Sequence, residues 1–213
     1  MNSRAIFFDL WNTLLYCPTR GKVKEMLKRV SMESKMDYRS FMDRMESTLF
    51  IDAGYDMERF LRELCGGGEV SEGMISQAAM EWNSRLEDAH LFKETETVLQ
   101  DLKLDFKLGL ISNTDRGGAE YARKTGIRRL FDTLVFSCEV GAAKPDPRIY
   151  EIAMEELCVR PRDCWMVGDN LEADVKGALN AGMKAMLIDR AGRYDGGECV
   201  IIQDLAEIRR IVG

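Results

Sequence analysis

Short apolar runs, each stopping at a polar or acidic residue, are the strongest constraint on what this chain can fold into. Residues 5–8 (AIFF) stop at Asp9, and residues 107–111 (KLGLI) stop at Ser112-Asn113. Residues 133–136 (TLVF) end at Ser137, 164–167 (CWMV) at Gly168-Asp169 and 184–188 (KAMLI) at Asp189. Residues 200–202 are a last, shorter run. None of these runs alternates apolar with polar, so they read as strands covered on both faces. Helical patterns separate them, at residues 119–124, 148–157, 171–181 and 205–212. Asp146-Pro147 opens the second as an N-cap followed by proline at the first helical position, and Gly182 closes the third. Strand and helix in alternation predict an α/β fold, a Rossmann-like doubly wound parallel sheet with helices on its faces.

Residues 16–91 do not follow this rhythm. They show no strand pattern and read as amphipathic helices near 22–32, 38–50, 57–64 and 72–86. Val23, Met26, Leu27 and Val30 recur at helical spacing. Cys65-Gly66-Gly67-Gly68 interrupts the third and fourth patterns. Six of the 13 methionines fall between residues 26 and 57. Ordinary core packing is their expected role, with a pliable wall facing a ligand as the alternative. The expected organisation is a core of residues 1–15 and 92–213 carrying a helical insert at 16–91.

Composition closes off several functions. A chain of 213 residues, 46% apolar, can build a dry core. Its 36 acidic and 30 basic residues leave a net charge of -6, which argues against coating nucleic acid. No run approaches the ~18 apolar residues of a membrane span. The first apolar run meets Asp9 too soon for a signal peptide, so a cytoplasmic location is expected. The six cysteines are scattered without a C-x-x-C pair, and reduced thiols are expected rather than disulfides. With His90 as the single histidine, no zinc ligand set is legible, and His90 reads as a surface or packing residue.

Ligands of an open parallel sheet bind beyond the carboxyl ends of its strands. Asp9, Ser112 with Asn113, and Asp169 with Asn170 all follow apolar runs, while Lys144 and Asp174 stand near the entrances of the next helices. Three carboxylates at one edge would repel one another unless a divalent cation sat among them. A lysine and a hydroxyl beside them would offset an anionic substrate. In chain order FFDLWNTLL, LISNTD, AAKPDPRIYEIA and VGDNLEADVKGA resemble the four-motif series of the haloacid dehalogenase-like (HAD) hydrolases. The resemblance covers residues 5–15 and about 95–190.

The resemblance implies a catalytic sequence. Asp9 would attack phosphorus and form a covalent aspartyl intermediate that water hydrolyses. Ser112 and the neighbouring amide of Asn113 would hold phosphoryl oxygens, and Lys144 would steady the charge on Asp9 and on the phosphoryl group. Mg²⁺ would be bound by Asp9, Asp169 and the Trp11 carbonyl, with Asp174 ordering its water shell. The substrate would be a small phosphorylated molecule, and the insert matches the position of the family's C1 cap, with residues 65–70 expected to help set substrate identity.

One position departs from the pattern. The family's phosphatases carry a second aspartate two residues after the nucleophile, and it protonates the leaving oxygen; here that residue is Trp11. A missing general acid/base is worth about 10²–10⁴ in rate, so activity is expected to be slow or restricted to good leaving groups. An aromatic residue here also resembles the metal-independent 2-haloacid dehalogenases, whose halide-receiving arginine would correspond to Arg39. A non-catalytic binding or regulatory protein on the same scaffold is the third alternative. Keeping Asp169 and Asp174 favours the phosphohydrolase, because those acids make sense only with a cation. Asp115 and Glu139 stand near enough in sequence to be asked whether they replace the lost acid, and both read more plainly as surface or cap-contacting residues.

Overall fold

The computed structural model describes residues 4–65, 70–194, 196, 197 and 199–213. Six strands form one sheet: β1 (Ala5–Phe8), β4 (Lys107–Ser112), β5 (Thr133–Phe136), β6 (Cys164–Gly168), β7 (Lys184–Ile188) and β8 (Val200–Ile202). Their order is β5-β4-β1-β6-β7-β8, and every pairing is parallel. The chain builds leftward from β1 through β4 to β5, then returns to the other side of β1 for β6. The switch point therefore lies beside β1, where the ends of β4, β1 and β6 stand together.

The apolar runs are explained by burial on both faces. Ile6 and Phe8 point into one layer with Leu99, Leu102, Leu108 and Ile208. Ala5 and Phe7 point into the other with Ile149, Tyr150, Ala153 and Val175. A strand of period two buried on both sides has no polar position to spare. The first layer is roofed by α5 (Thr95–Leu102), α6 (Arg116–Lys124) and α10 (Ile208–Val212), the second by α8 (Pro147–Leu157) and α9 (Gly177–Asn180); a single turn, α7 (Ser137–Val140), follows β5. Helix α8 opens as the sequence predicts: the Asp146 carboxylate accepts from the Arg148 amide, with Pro147 in the first turn. Gly182, past the end of α9, has φ of 79°, a left-handed position that costs glycine nothing.

Four helices occupy most of residues 16–91: α1 (Arg20–Glu33), α2 (Tyr38–Thr48), α3 (Met57–Leu64) and α4 (Glu72–Ser84). They share their own apolar cluster, including Leu27, Val30, Phe41, Phe60, Ile75 and Trp82. The stretch is not free of strand. Leu15–Tyr16 (β2) pairs antiparallel with His90–Leu91 (β3), so the chain leaves and re-enters the sheet core side by side. A two-residue ladder is too short for any periodicity to register. The glycine-rich break at 66–68 falls outside the described residues. His90 is exposed and its ring tilts against Tyr16 at 5.9 Å between centroids. Among the described residues no cysteine is joined in a disulfide; Cys65, Cys138 and Cys164 are buried, and Cys158 is exposed. Among the described residues no helix is long and apolar enough to cross a membrane.

Candidate active site at the carboxyl edge of the sheet

Asp9 follows β1 directly and is fixed there by its own amide, which donates to the Val167 carbonyl at 2.9 Å. The Lys144 ammonium reaches it from the loop before α8. That ammonium donates to Asp9 Oδ1 at 2.7 Å, to Asp174 Oδ1 at 2.6 Å and to the Ile111 carbonyl at 2.8 Å. All three of its protons are thereby used, which is what a buried ammonium requires. Asn113 holds the loop that carries it: its amide donates to the Lys144 carbonyl and its carbonyl accepts from the Lys144 amide, both at 2.8 Å. The Asn113 side chain thus orients the lysine.

Asp174 lies in a wide π-type turn, Leu171–Lys176, that runs on into α9. Asn170 caps this turn by accepting from the Glu172 and Ala173 amides, each at 3.0 Å. The second oxygen of Asp174 accepts from the Asn170 amide at 2.9 Å. Gly168 makes the placement possible: a Cβ there would lie 2.2 Å from the Asp174 carboxyl carbon. The carboxylate therefore tucks under the end of β6, next to Asp169. One oxygen from each of Asp9, Asp169 and Asp174 lies within 4.8 Å of the others.

The electrostatics match this crowding. Burial pushes the Asp9 carboxyl up to about 7; the Lys144 ammonium opposes the rise, and Asp174 and Asp169 add to it. Burial raises Asp169 as well, joined by Asp174 and countered by Arg20, Lys144 and a hydrogen bond from the Asn12 side chain. Burial works against the Lys144 ammonium, but Asp174 and Asp9 outweigh it and hold the group above its ordinary range. One lysine against three acids leaves the edge short of positive charge. The Ser112 hydroxyl is buried and has no hydrogen-bond partner among the described residues. A buried orphan hydroxyl costs free energy unless something is bound to it.

Above this edge lies a cavity of about 560 Å³. Trp11, Asn12, Asn113 and Thr114, which flank Asp9 and Ser112, form its floor, and residues of α1, α2 and α4 form its walls. Trp11 is half-buried there, its indole N–H 3.4 Å from the Thr114 hydroxyl. Met42 and Met45 face the cavity, while Met26 and Met57 are packed into the helical cluster.

The two candidate replacement acids are engaged elsewhere. Asp115 is buried and accepts from Trp82 Nε1 at 2.6 Å, Arg85 Nη2 at 2.8 Å and the Gly118 amide at 2.9 Å. It ties α4 to the first turn of α6. Glu139 is held in a two-pronged ion pair by Arg123, at 2.6 and 2.5 Å. Arg39 is exposed and does not line the cavity, contrary to the halide-receiving role considered for it. It precedes buried Phe41 by two residues, about 200° around the helix, and so faces solvent. The sequence reading missed Arg20, Lys24 and Arg85 in the walls. For Arg20 and Lys24 a signal existed: two cations one turn apart at the start of the first helix after the nucleophile loop. Arg85 carried none.

Known phosphatases resemble this chain along most of its length. N-acylneuraminate-9-phosphatase of Mus musculus is 32% identical over 211 residues, spanning 89% of this chain and 84% of the relative. A glyceraldehyde 3-phosphate phosphatase of Methanothermobacter thermautotrophicus is 28% identical across 98% of this chain and 99% of its own. A HAD phosphatase structure from Thermococcus onnurineus has a TM-score of 0.69 at 24% identity, covering 99% of this chain and 98% of that one. A 2-haloacid dehalogenase structure from Pseudomonas syringae has a TM-score of 0.68 at 19% identity, covering 98% and 97%. These two structures speak for the fold alone, since phosphatase and dehalogenase score nearly alike. The profile of the haloacid dehalogenase-like hydrolases matches residues 3–182, and the chain belongs to that family of hydrolases.

Proposed function

We propose that this hydrolase is a Mg²⁺-dependent phosphohydrolase acting on a small phosphorylated molecule through Asp9. The observation that carries the reading is the Lys144 ammonium bridging Asp9 and Asp174, with Asp169 completing an acidic cluster that is short of cations. The two phosphatases related to this chain through most of its length support phosphate-ester chemistry.

The donor set fits a hard divalent cation, since it is made of carboxylate oxygens. Asp9 and Asp169, with the Trp11 carbonyl, would hold it. Asp174, whose oxygens already accept from Lys144 and Asn170, would act through water. When bound, the ion neutralises the acids and the approaching phosphate. The rest of the work falls to this chain's own residues. Lys144 favours the ionised form of Asp9 and orients it, and Asp9 attacks phosphorus from the end of β1 as the bond to the leaving oxygen breaks. The orphan Ser112 hydroxyl and the Asn113 amide take phosphoryl oxygens as charge moves onto them. The leaving oxygen finds indole at position 11, which cannot donate a proton to it at working pH. Asp115 and Glu139, held in ion pairs, do not repair this. Turnover is therefore slow for alkyl esters and better for aryl or acyl phosphates. We further propose that residues 16–91 act as a C1-type cap over the core of residues 1–15 and 92–213. Their four helices would exclude bulk water during the reaction.

The test is turnover of p-nitrophenyl phosphate with Mg²⁺ and with EDTA, beside Asp9→Asn. Turnover that needs both the metal and Asp9 supports the reading; equal rates for wild type and Asp9→Asn end it. Chloride release from 2-chloropropionate in EDTA would favour the dehalogenase alternative.

A further inference from the structure

The walls of the cavity carry more information than the reaction uses. Helix α1 begins with Arg20 and Lys24, one turn apart, and both line the cavity. Neither makes an ion pair or a side-chain hydrogen bond among the described residues. The charged wall residue just past the end of α4 differs: Arg85 is fully committed to Asp115 and the Trp82 carbonyl. Arg20 opens the first turn of α1, where a cation is locally unfavourable. The first turn of α1 has no acidic residue and its Thr19 N-cap makes no side-chain capping bond. Positive charge at a helix N-terminus opposes the helix dipole. A cation in that turn and a second one turn on, both lining a cavity and neither held by an ion pair among the described residues, mark a position where local preference has given way to binding.

Their placement is graded. Arg20 is close enough to the acidic cluster to stabilise ionised Asp169, whereas Lys24 lies one helical turn, about 5–6 Å, further along the wall. Tyr38 joins them from the start of α2, and Glu46 is the acid on the same wall. The remaining surface is apolar, with Leu27, Met42, Met45 and Phe50 facing the space. A cavity of this size holds far more than a three-carbon ester.

We infer that the cavity selects phosphate monoesters whose leaving group carries a second anion, a carboxylate, attached to an apolar or flat body. The phosphate sits at Asp9, the body lies against the methionine and aromatic wall, and Lys24, helped by Arg20, receives the carboxylate. This inference rests on the phosphohydrolase reading for the phosphate end of the ligand.

A matched pair of probes tests it: 4-carboxyphenyl phosphate and the isosteric neutral 4-carbamoylphenyl phosphate. Binding is measured by calorimetry on the Asp9→Asn protein with Mg²⁺, so that neither probe is consumed and failure of turnover does not hide the answer. The expected result is about tenfold tighter binding of the carboxylate. The preference should collapse when Lys24→Gln is added, weaken with Arg20→Gln, and shrink as salt is raised. Arg39→Gln, on the solvent face of α2, should leave it intact. Equal affinity for the two probes would overturn the inference, as would a preference that survives both Lys24→Gln and Arg20→Gln. Turnover assays of the wild type with the same probes judge the phosphohydrolase reading separately.

Discussion

The sheet edge and the cavity walls handle charge in opposite ways. At the edge, Asp9, Lys144 and Asp174 are buried and locked by hydrogen bonds of 2.6–2.8 Å. On the α1 wall, Arg20 and Lys24 are exposed and, among the described residues, held by no ion pair. A strand end has little freedom, so chemistry that needs fixed geometry is placed there. A helix face can exchange side chains without disturbing the sheet, so selectivity is placed on it. The contrast predicts that substitutions at the edge change the rate for every substrate, while those on the wall change which substrate is bound.

The largest effect should come from Asp9→Asn. It removes the attacking oxygen charge while keeping shape, and kcat on p-nitrophenyl phosphate should fall by more than about 10³-fold with the fold intact by circular dichroism. A fall of less than tenfold would remove Asp9 from the chemistry and dissolve the distinction between edge and wall.

Next in size is Trp11→Asp, at the boundary between the two regions. Restoring a carboxyl near the leaving oxygen should raise turnover of alkyl phosphates by about 10²-fold or more relative to aryl phosphates. The signature is the ratio, because better metal binding alone would raise both classes together. An unchanged ratio would mean that the floor cannot seat a carboxyl where Trp11 now packs.

Arg85→Met tests the one place where a helix wall behaves like the sheet edge. Arg85 is buried beneath the Trp82 ring at 3.7 Å and paired with buried Asp115. Removing one partner of such a pair costs about 3–5 kcal/mol, because the other charge stays buried. The loss should show as a lowered denaturant midpoint. Adding Asp115→Asn should recover part of it, and simple additivity would show that the two side chains are not coupled.

How much of this was readable in the sequence follows the same division. Strands buried on both faces leave uninterrupted apolar runs, so β1, β5 and β7 were legible to the residue; the edge strand β8 was too, although Val200 is exposed there. The edge residues followed because each closes such a run or opens the next helix. The β2–β3 ribbon was not legible, since two residues carry no period. Nor was the π-type turn that seats Asp174, which depends on Gly168 leaving room for the carboxylate. The Arg85–Asp115 contact spans 30 residues with no local signature. Arg39 was misplaced because its sequence position suited a role that its helical phase did not.

The smallest effect is on stability against pH, and its sign separates the edge from the wall once more. Folding raises the Asp9 carboxyl from 3.8 to about 7 and raises Asp169 too. Between those values the folded chain binds more protons than the unfolded one, so stability falls as pH rises. The contribution is fully present below about pH 4 and is lost as pH passes through about 7. Mg²⁺ competes with those protons and stabilises the ionised acids. The increase in Tm on replacing EDTA with Mg²⁺ should therefore be greater at pH 8 than at pH 5. Asp9→Asn should reduce that difference, because it removes one of the protons the metal displaces. Lys24→Gln should not, because Lys24 is outside the acidic cluster. A Mg²⁺ shift of equal size at both pH values would mean that the ion binds somewhere other than at these raised carboxyls.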